Sequence, residues 1–331
     1  MTLAPVTARA TTTGAGPDGA PPAGTTDGAT KPRPAARRPW RRHRREYLVF
    51  LAFALPNLAL IAVFTYRPLV LNLYYSTLQW NLGSRTATVV GLDNYVRWFT
   101  DPRSLEVLRV TAVFTVATVG ATLLLGLLLA TVLDRRLHGR TVARSVIFAP
   151  YVLSGVGVGM VWLFIFDPTY GALAALLRTW GASSPQWYLD RDWALVMVIV
   201  VYVWKNLGYA AVIYLAALQS VPRDVLDAAS LDGAGPLRRF WRITVPLLSP
   251  TTFFLLVTTV LSSLQSFDLI HVMTAGGPLD GTTTLMYQVY VEAFVTGRAG
   301  YSSAISMILF AVLLVMTLGQ LRFLEKKVHY A

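Results

Sequence analysis

The chain contains no cysteine, which excludes disulfides, thiolate nucleophiles, iron–sulfur ligation and palmitoylation. Charge is scarce: 14% of the 331 residues, against about 25% in an ordinary soluble domain. The four histidines, His43, His138, His271 and His329, are scattered and make no HExxH or similar metal spacing. No Gly-Lys-Ser/Thr phosphate loop occurs, so ATP is not bound through that motif. Gly155, Gly157 and Gly159 lie inside an apolar run rather than at a strand-to-helix turn, and they make no dinucleotide fingerprint. We therefore expect no cofactor on this chain and no catalysis by it. Its driving energy must come from a partner chain or an ion gradient.

Apolar residues, by contrast, make up 54% of the chain, and the mean hydropathy of +0.51 exceeds what one soluble core needs. About 20 apolar residues cross a bilayer as a helix. Six runs reach that length, at roughly 47–66, 110–133, 146–166, 193–218, 250–270 and 302–321. None alternates with period two as a barrel strand would, and backbone in lipid must bond within its own segment. The expected fold is all-α: a polytopic membrane protein with six transmembrane helices. Pro56 and Pro150 should kink two of the runs. Gly155 and Gly159 form a GxxxG pair suited to close helix contact.

Residues 1–30 are almost entirely Ala, Thr, Gly and Pro, and eight basic residues follow between Lys31 and Arg45. The expected division is a disordered basic cytoplasmic tail over 1–46 and a six-helix transmembrane domain over 47–331. Of the 29 Lys and Arg, 20 lie on the side of both termini, 8 on the opposite side, and Lys205 inside a span. The positive-inside rule then places both termini in the cytoplasm. The same count explains the net charge of +12 without nucleic acid as a partner.

One cytoplasmic loop, 219–249, is unlike the others. Pro222 suits a first helical turn, and Asp224 and Asp227 suit the positive end of a helix dipole. Val225, Ala228, Ala229 and Leu231 give a short apolar surface. Gly233, Gly235 and Pro236 then stop the helix. Phe240, Trp241 and Ile243 follow beside Arg238, Arg239 and Arg242, and Pro246 and Pro250 should break the chain before the fifth span. From the residues alone, this elbow either docks into a groove of a partner or lies passively on lipid.

The loop resembles the signature loop of permease subunits in binding-protein-dependent ABC importers. The matching residues are Asp227-Ala228-Ala229, Asp232-Gly233-Ala234, Phe240, Ile243, Val245 and Pro246. Two positions depart from the family pattern: Asp227 stands for the usual Glu and Val245 for the usual Leu. Other segments are similar to carbohydrate permeases over roughly 47–327. They include Tyr66-Arg-Pro-Leu69, Gly91-Leu-Asp-Asn-Tyr95, Phe166-Asp-Pro-Thr-Tyr-Gly171 and Trp204-Lys-Asn-Leu-Gly208. Met273-Thr-Ala-Gly-Gly-Pro278 with Thr282, Thr283 and Thr284 resembles the maltose-type first permease. The resemblance implies a type I importer permease of the bacterial cytoplasmic membrane. It also implies a second permease, two ATP-binding cassette subunits, an extracytoplasmic sugar-binding protein, and a sugar as substrate. The elbow would be the coupling helix through which ATP hydrolysis on the partners drives the spans.

A charge within a span costs about 2.5–3.5 kcal/mol on insertion scales, so polar residues in the runs are candidates for the transport path. Lys205, beside Asn206, is open to three readings: a structural ion pair, contact with substrate hydroxyls, or snorkelling. Thr259, Ser262, Ser263 and Ser266 recur at three- and four-residue spacing in the fifth run and can share one face. They line a sugar pocket or hydrogen-bond neighbouring helices. The family resemblance implies pocket roles for Ser263 and Ser266, with Thr259 and Gln265 beside them. Sugars are also held by aromatic stacking, which adds Trp204 and Tyr209. Asp268 reads as an interfacial charge.

Three alternatives are weaker. A glycerol-phosphate or other phosphorylated-polyol permease of the same fold would want extra Arg or Lys in the path, and only Lys205 is there. A membrane-embedded enzyme would need convergent acid, base or metal ligands. An ion-driven transporter would show internal repeats and intramembrane carboxylates.

Overall fold

The computed structural model describes residues 40–135 and 139–324. The expected tail thus lies outside the described residues up to position 39. The chain divides into two units, 1–59 and 60–331. In the first, helix α1 (Trp40–Ile61) begins inside the basic stretch, so residues 41–45 are helical, and Pro56 is carried within the helix.

In the second unit a π turn at Ala62–Tyr66 leads into α2 (Arg67–Ser76). A two-residue hairpin follows, β1 (Leu78–Gln79) pairing antiparallel with β2 (Thr88–Val89). Then come α3 (Asp93–Thr100), α4 (Pro102–Leu133), α5 (Arg140–Val152), α6 (Gly155–Ile165), α7 (Ala172–Thr179) and α8 (Arg191–Ser220). The elbow contributes α9 (Arg223–Leu231), α10 (Pro236–Arg239) and α11 (Val245–Leu247). The chain continues through α12 (Ser249–Leu264), α13 (Asp268–Met273), α14 (Leu285–Tyr290) and α15 (Ala299–Gly319). Among the described residues, five helices are long and apolar enough to cross a membrane. A sixth span arises if α5 and α6, bent by 100°, count as one. The expected third span is therefore broken, three residues beyond Pro150.

The second span starts eight residues before its apolar run. Asp101 caps it by accepting from the Arg103 amide at 2.9 Å, and Pro102 occupies the first turn, where its missing N–H costs nothing. Small residues set the packing. A Cβ on Gly126 would fall 2.8 Å from the Ala210 Cβ, so α4 and α8 approach closely there. A Cβ on Gly208 would fall 2.0 Å from the Ile147 carbonyl oxygen, which presses α8 on α5. The GxxxG pair does what its spacing implies: Gly155 faces Asp268 and Gly159 faces Val272, packing α6 on α13.

At the end of the bundle opposite the elbow, Trp98 is fully buried and donates to the Gln288 side chain at 3.1 Å. Arg103 holds Asp280 with two bonds of 2.8 and 2.7 Å. Glu106 pairs with Arg191. These contacts join α4, α8 and the loop 274–284. In that loop the threonines of the sequence motif tie the backbone to itself. Thr282 donates to the Gly277 carbonyl and Thr283 to the Gly276 carbonyl, each at 3.0 Å.

Candidate functional site

The elbow is a built unit. Pro222 is the residue before the first turn, with α9 starting at Arg223, one residue later than expected. Gly233 adopts φ +76°, the left-handed conformation that glycine takes without a Cβ penalty. The amide of Gly233 bonds the Ser230 carbonyl at 3.1 Å and that of Ala234 bonds the Ala229 carbonyl at 3.0 Å. This is a Schellman stop. Arg239 then reaches back from α10 to the Ser230 hydroxyl, latching the second arm to the first. Asp227, Ala228, Asp232 and Gly233 are exposed, whereas Ala229 is buried. Leu231 is 90% and Trp241 57% exposed. Pro246 lies in α11, beyond the π turn Phe240–Thr244. Pro246 and Pro250 do not break the chain as expected. Each sits in the first turn of a short or long helix, where proline is tolerated. A crevice of about 290 Å³ lies under the elbow, between Thr131 and Asp134 at the end of α4, Leu218 of α8, and Arg239 and Phe240.

A second cavity, of about 180 Å³, lies among the spans. Thr118 and Thr122 of α4, Tyr151 of α5, and Tyr202, Asn206 and Tyr209 of α8 form much of its wall. Thr258, Thr259 and Ser262 of α12 close it. Among the described residues, no Asp, Glu, Lys or Arg lines it. The rings of Tyr151 and Tyr209 stack 4.8 Å apart at 17°. Asn206 donates to the Tyr202 carbonyl at 2.8 Å. The Thr122 hydroxyl is buried and has no partner among the described residues.

Of the residues singled out from sequence, Asn206, Tyr209, Thr259 and Ser262 therefore meet in this wall. The others lie elsewhere. Trp204 packs edge-on against Trp162 at 5.2 Å. Lys205 donates to the Tyr151 carbonyl at 3.1 Å. Ser263 is buried and shares a 2.9 Å hydrogen bond with Thr118. Gln265 is exposed just past the end of α12, and Ser266 is buried beyond it. The expected single polar face splits because neighbouring helical positions lie 100° apart: Ser262 meets the cavity, Ser263 meets α4. Ser266 is outside the helix altogether. Sequence reasoning missed Tyr151, Tyr202, Val119, Thr258, Thr118 and Thr122. A signal existed for the last two, since Thr111, Thr115, Thr118 and Thr122 recur at four, three and four residues.

Residues 122–330 match the family described as binding-protein-dependent transport system inner membrane component. The chain belongs to that family. Its relatives include sn-glycerol-3-phosphate transport system permease proteins UgpA. Those of Brucella abortus and Agrobacterium fabrum are each 40% identical, over 83% of this chain and 94% of theirs. Among solved structures, a bacterial ABC transporter that imports the acidic polysaccharide alginate superimposes with a TM-score of 0.75. It covers 87% of this chain and 98% of that one at 21% identity, so it speaks to the fold. The transport component described here is thus a multi-pass inner-membrane subunit that works with a binding protein.

Proposed function

We propose that the chain is one of two dissimilar permease subunits of an ABC importer, and that it passes a neutral sugar through the cavity between α4, α5, α8 and α12. One observation carries the substrate reading. The cavity wall carries hydroxyls, an amide and tyrosine rings beside Val119, with the buried Thr122 hydroxyl unpartnered among the described residues. Buried polar groups require a partner, and a polyol hydroxyl would supply one for Thr122. Aromatic faces suit the apolar side of a sugar ring. At ~30 Å³ per water the volume holds about six waters, the scale of one sugar unit.

Both termini and the elbow face the cytoplasm in this reading, supported by the excess of Lys and Arg on that side. The exposed Leu231 and Trp241 dock into an ATPase subunit, and the Arg239 latch lets the two arms move as one body. ATP is hydrolysed on two such partners. A solute-binding protein delivers the sugar at the opposite end.

The relatives' names favour a second reading, sn-glycerol 3-phosphate. A phosphate entering the cavity would find no cation in its wall, and burying an unpaired charge is costly. The discriminating experiment reconstitutes the full transporter with its binding protein. A panel of neutral mono- and disaccharides and sn-glycerol 3-phosphate is then tested for stimulation of ATP hydrolysis. Stimulation by a neutral sugar is the expected result; stimulation by the phosphate ester alone would overturn the sugar reading.

A further inference from the structure

The break in the third span and the two charges beside it carry an inference that rests on the transport reading and goes beyond it. The half-helices α5 and α6 meet at 100°. A break leaves the last carbonyls of the first half and the first amides of the second without helical partners. It also exposes the negative end of one helix dipole and the positive end of the other. In a span these ends need internal partners.

The chain places one cation and one anion beside the break: Lys205 bonds a carbonyl near the end of α5, and Asp268, which accepts from the Leu269 amide of its own helix at 3.0 Å, packs against the start of α6. Tyr151 is the penultimate residue of α5, and its carbonyl accepts from the Lys205 ammonium at 3.1 Å. The same ammonium sits 5.6 Å from the centre of the Tyr151 ring. On the other side, the Asp268 carboxylate lies against Gly155, the first residue of α6. A Cβ on Gly155 would fall 1.5 Å from the Asp268 Oδ2. Ser154, just before α6, provides no side-chain cap of its own. The two charges come from different helices, α8 and α13, so they bracket the break from separate supports. What they hold matters for transport, because Tyr151 stacks on Tyr209 and forms part of the cavity wall.

We infer that Lys205 and Asp268 are positioning residues, complementary caps on the two halves of the broken span that fix its bend and thereby hold Tyr151 at the cavity. Neither touches the substrate. Lys205 acts on Tyr151 from behind, through the backbone carbonyl.

The absence of native cysteine provides the test. A single Leu153→Cys, at the break, is placed in the complete transporter and titrated with a membrane-impermeant maleimide. Lys205→Met and Asp268→Asn should each change the labelling rate about two- to fivefold, the factor allowed by losing one charge–dipole contact. Lys205→Arg should restore it. Both variants should weaken the apparent affinity for the transported solute in parallel, without altering which solutes are accepted. Unchanged labelling in both variants, with normal assembly, would overturn the inference. So would a change of solute selectivity in Lys205→Met that Asp268→Asn does not share, since that marks Lys205 as a substrate ligand. If Lys205→Met fails to assemble, Lys205→Gln and the Asp268 arm read the two ends separately. Labelling does not depend on knowing the solute, so failure here is distinct from failure of the sugar reading.

Discussion

Ser263 of α12 and Thr118 of α4 share a hydrogen bond of 2.9 Å, buried between the two spans. Thr118 also donates to the Phe114 carbonyl, and Thr115 accepts from Ser263 at 3.4 Å. This is inter-helix adhesion at the edge of the cavity, whose wall includes Thr118 but not Ser263. Such bonds contribute about 0.6 kcal/mol on average in membrane proteins. Ser263→Ala should therefore lower thermal stability slightly and leave solute affinity unchanged. Thr259→Val, in the wall itself, should weaken solute affinity at equal expression. Concentration-dependent uptake by both variants checks the contrast.

Gly233 stands at φ +76° where α9 stops. A side chain in that conformation costs about 1–2 kcal/mol, enough to open the Schellman turn in an exposed elbow. Gly233→Val should leave the spans folded but reduce co-purification of the ATPase subunits and uptake together. Retention of both at wild-type levels would show that the elbow does not couple.

The contact of Asp268 with Gly155 makes a steric prediction separate from the charge argument. Gly155→Ala collides with the carboxylate and should destabilise the assembled transporter. Added to Asp268→Ala, which vacates the space, the same change should cost less. A coupling of about 0.5–3 kcal/mol is expected for residues in contact, readable by thermal melting of the four-variant cycle.

Asp280 lies in the loop after the fifth span. Burial pushes its carboxyl up, but the hydrogen bonds and charge of Arg103, with Thr283 and Arg191, outweigh this and hold it below the ordinary value of 3.8. A depressed folded pKa contributes stability above the unfolded value and loses it as pH falls through the folded one. The loop should therefore be insensitive to pH near neutrality and loosen only below pH 3.8. Limited proteolysis across pH 7 to 3, with Asp280→Asn as the control that removes the dependence, tests this.

Glu292, in the π turn Val291–Val295, is buried and pairs with the more exposed Arg298 at 2.5 Å. Removing the arginine leaves the carboxylate uncompensated, a loss of up to about 3–5 kcal/mol for a fully buried pair, less here because Arg298 meets solvent. Arg298→Ala should melt lower than Glu292→Gln, which removes the charge but keeps a hydrogen-bonding side chain. Equal melting temperatures would contradict the pairing.

Much of the architecture was legible because its signals are local. Twenty-residue apolar runs predict spans, and Gly-Ala-Gly-Pro after Leu231 predicts the stop of the elbow helix. The helix-facing role of Gly155 and Gly159 followed from spacing alone. The cavity was harder to read. Asn206, Tyr209 and Thr259 were accessible as polar or aromatic residues in apolar surroundings. Tyr151 was not, since an aromatic beside Pro150 in a hydrophobic run looks like any other lipid-facing residue. Its importance comes from Tyr209, 58 positions later, stacking on it.

The sequence by itself determined the class of protein, the number of apolar runs, the side on which positive charge accumulates, and the elbow with the glycines that stop its helix. Each depends on neighbours within a few turns of one helix. Only the tertiary structure decided which polar residues face a cavity and which face another helix. That choice turns on 100° of rotation about a helix axis and on which distant helix lies alongside. It also brought Lys205 to the Tyr151 carbonyl and Asp268 to Gly155 beside the break, because those partners lie on other helices.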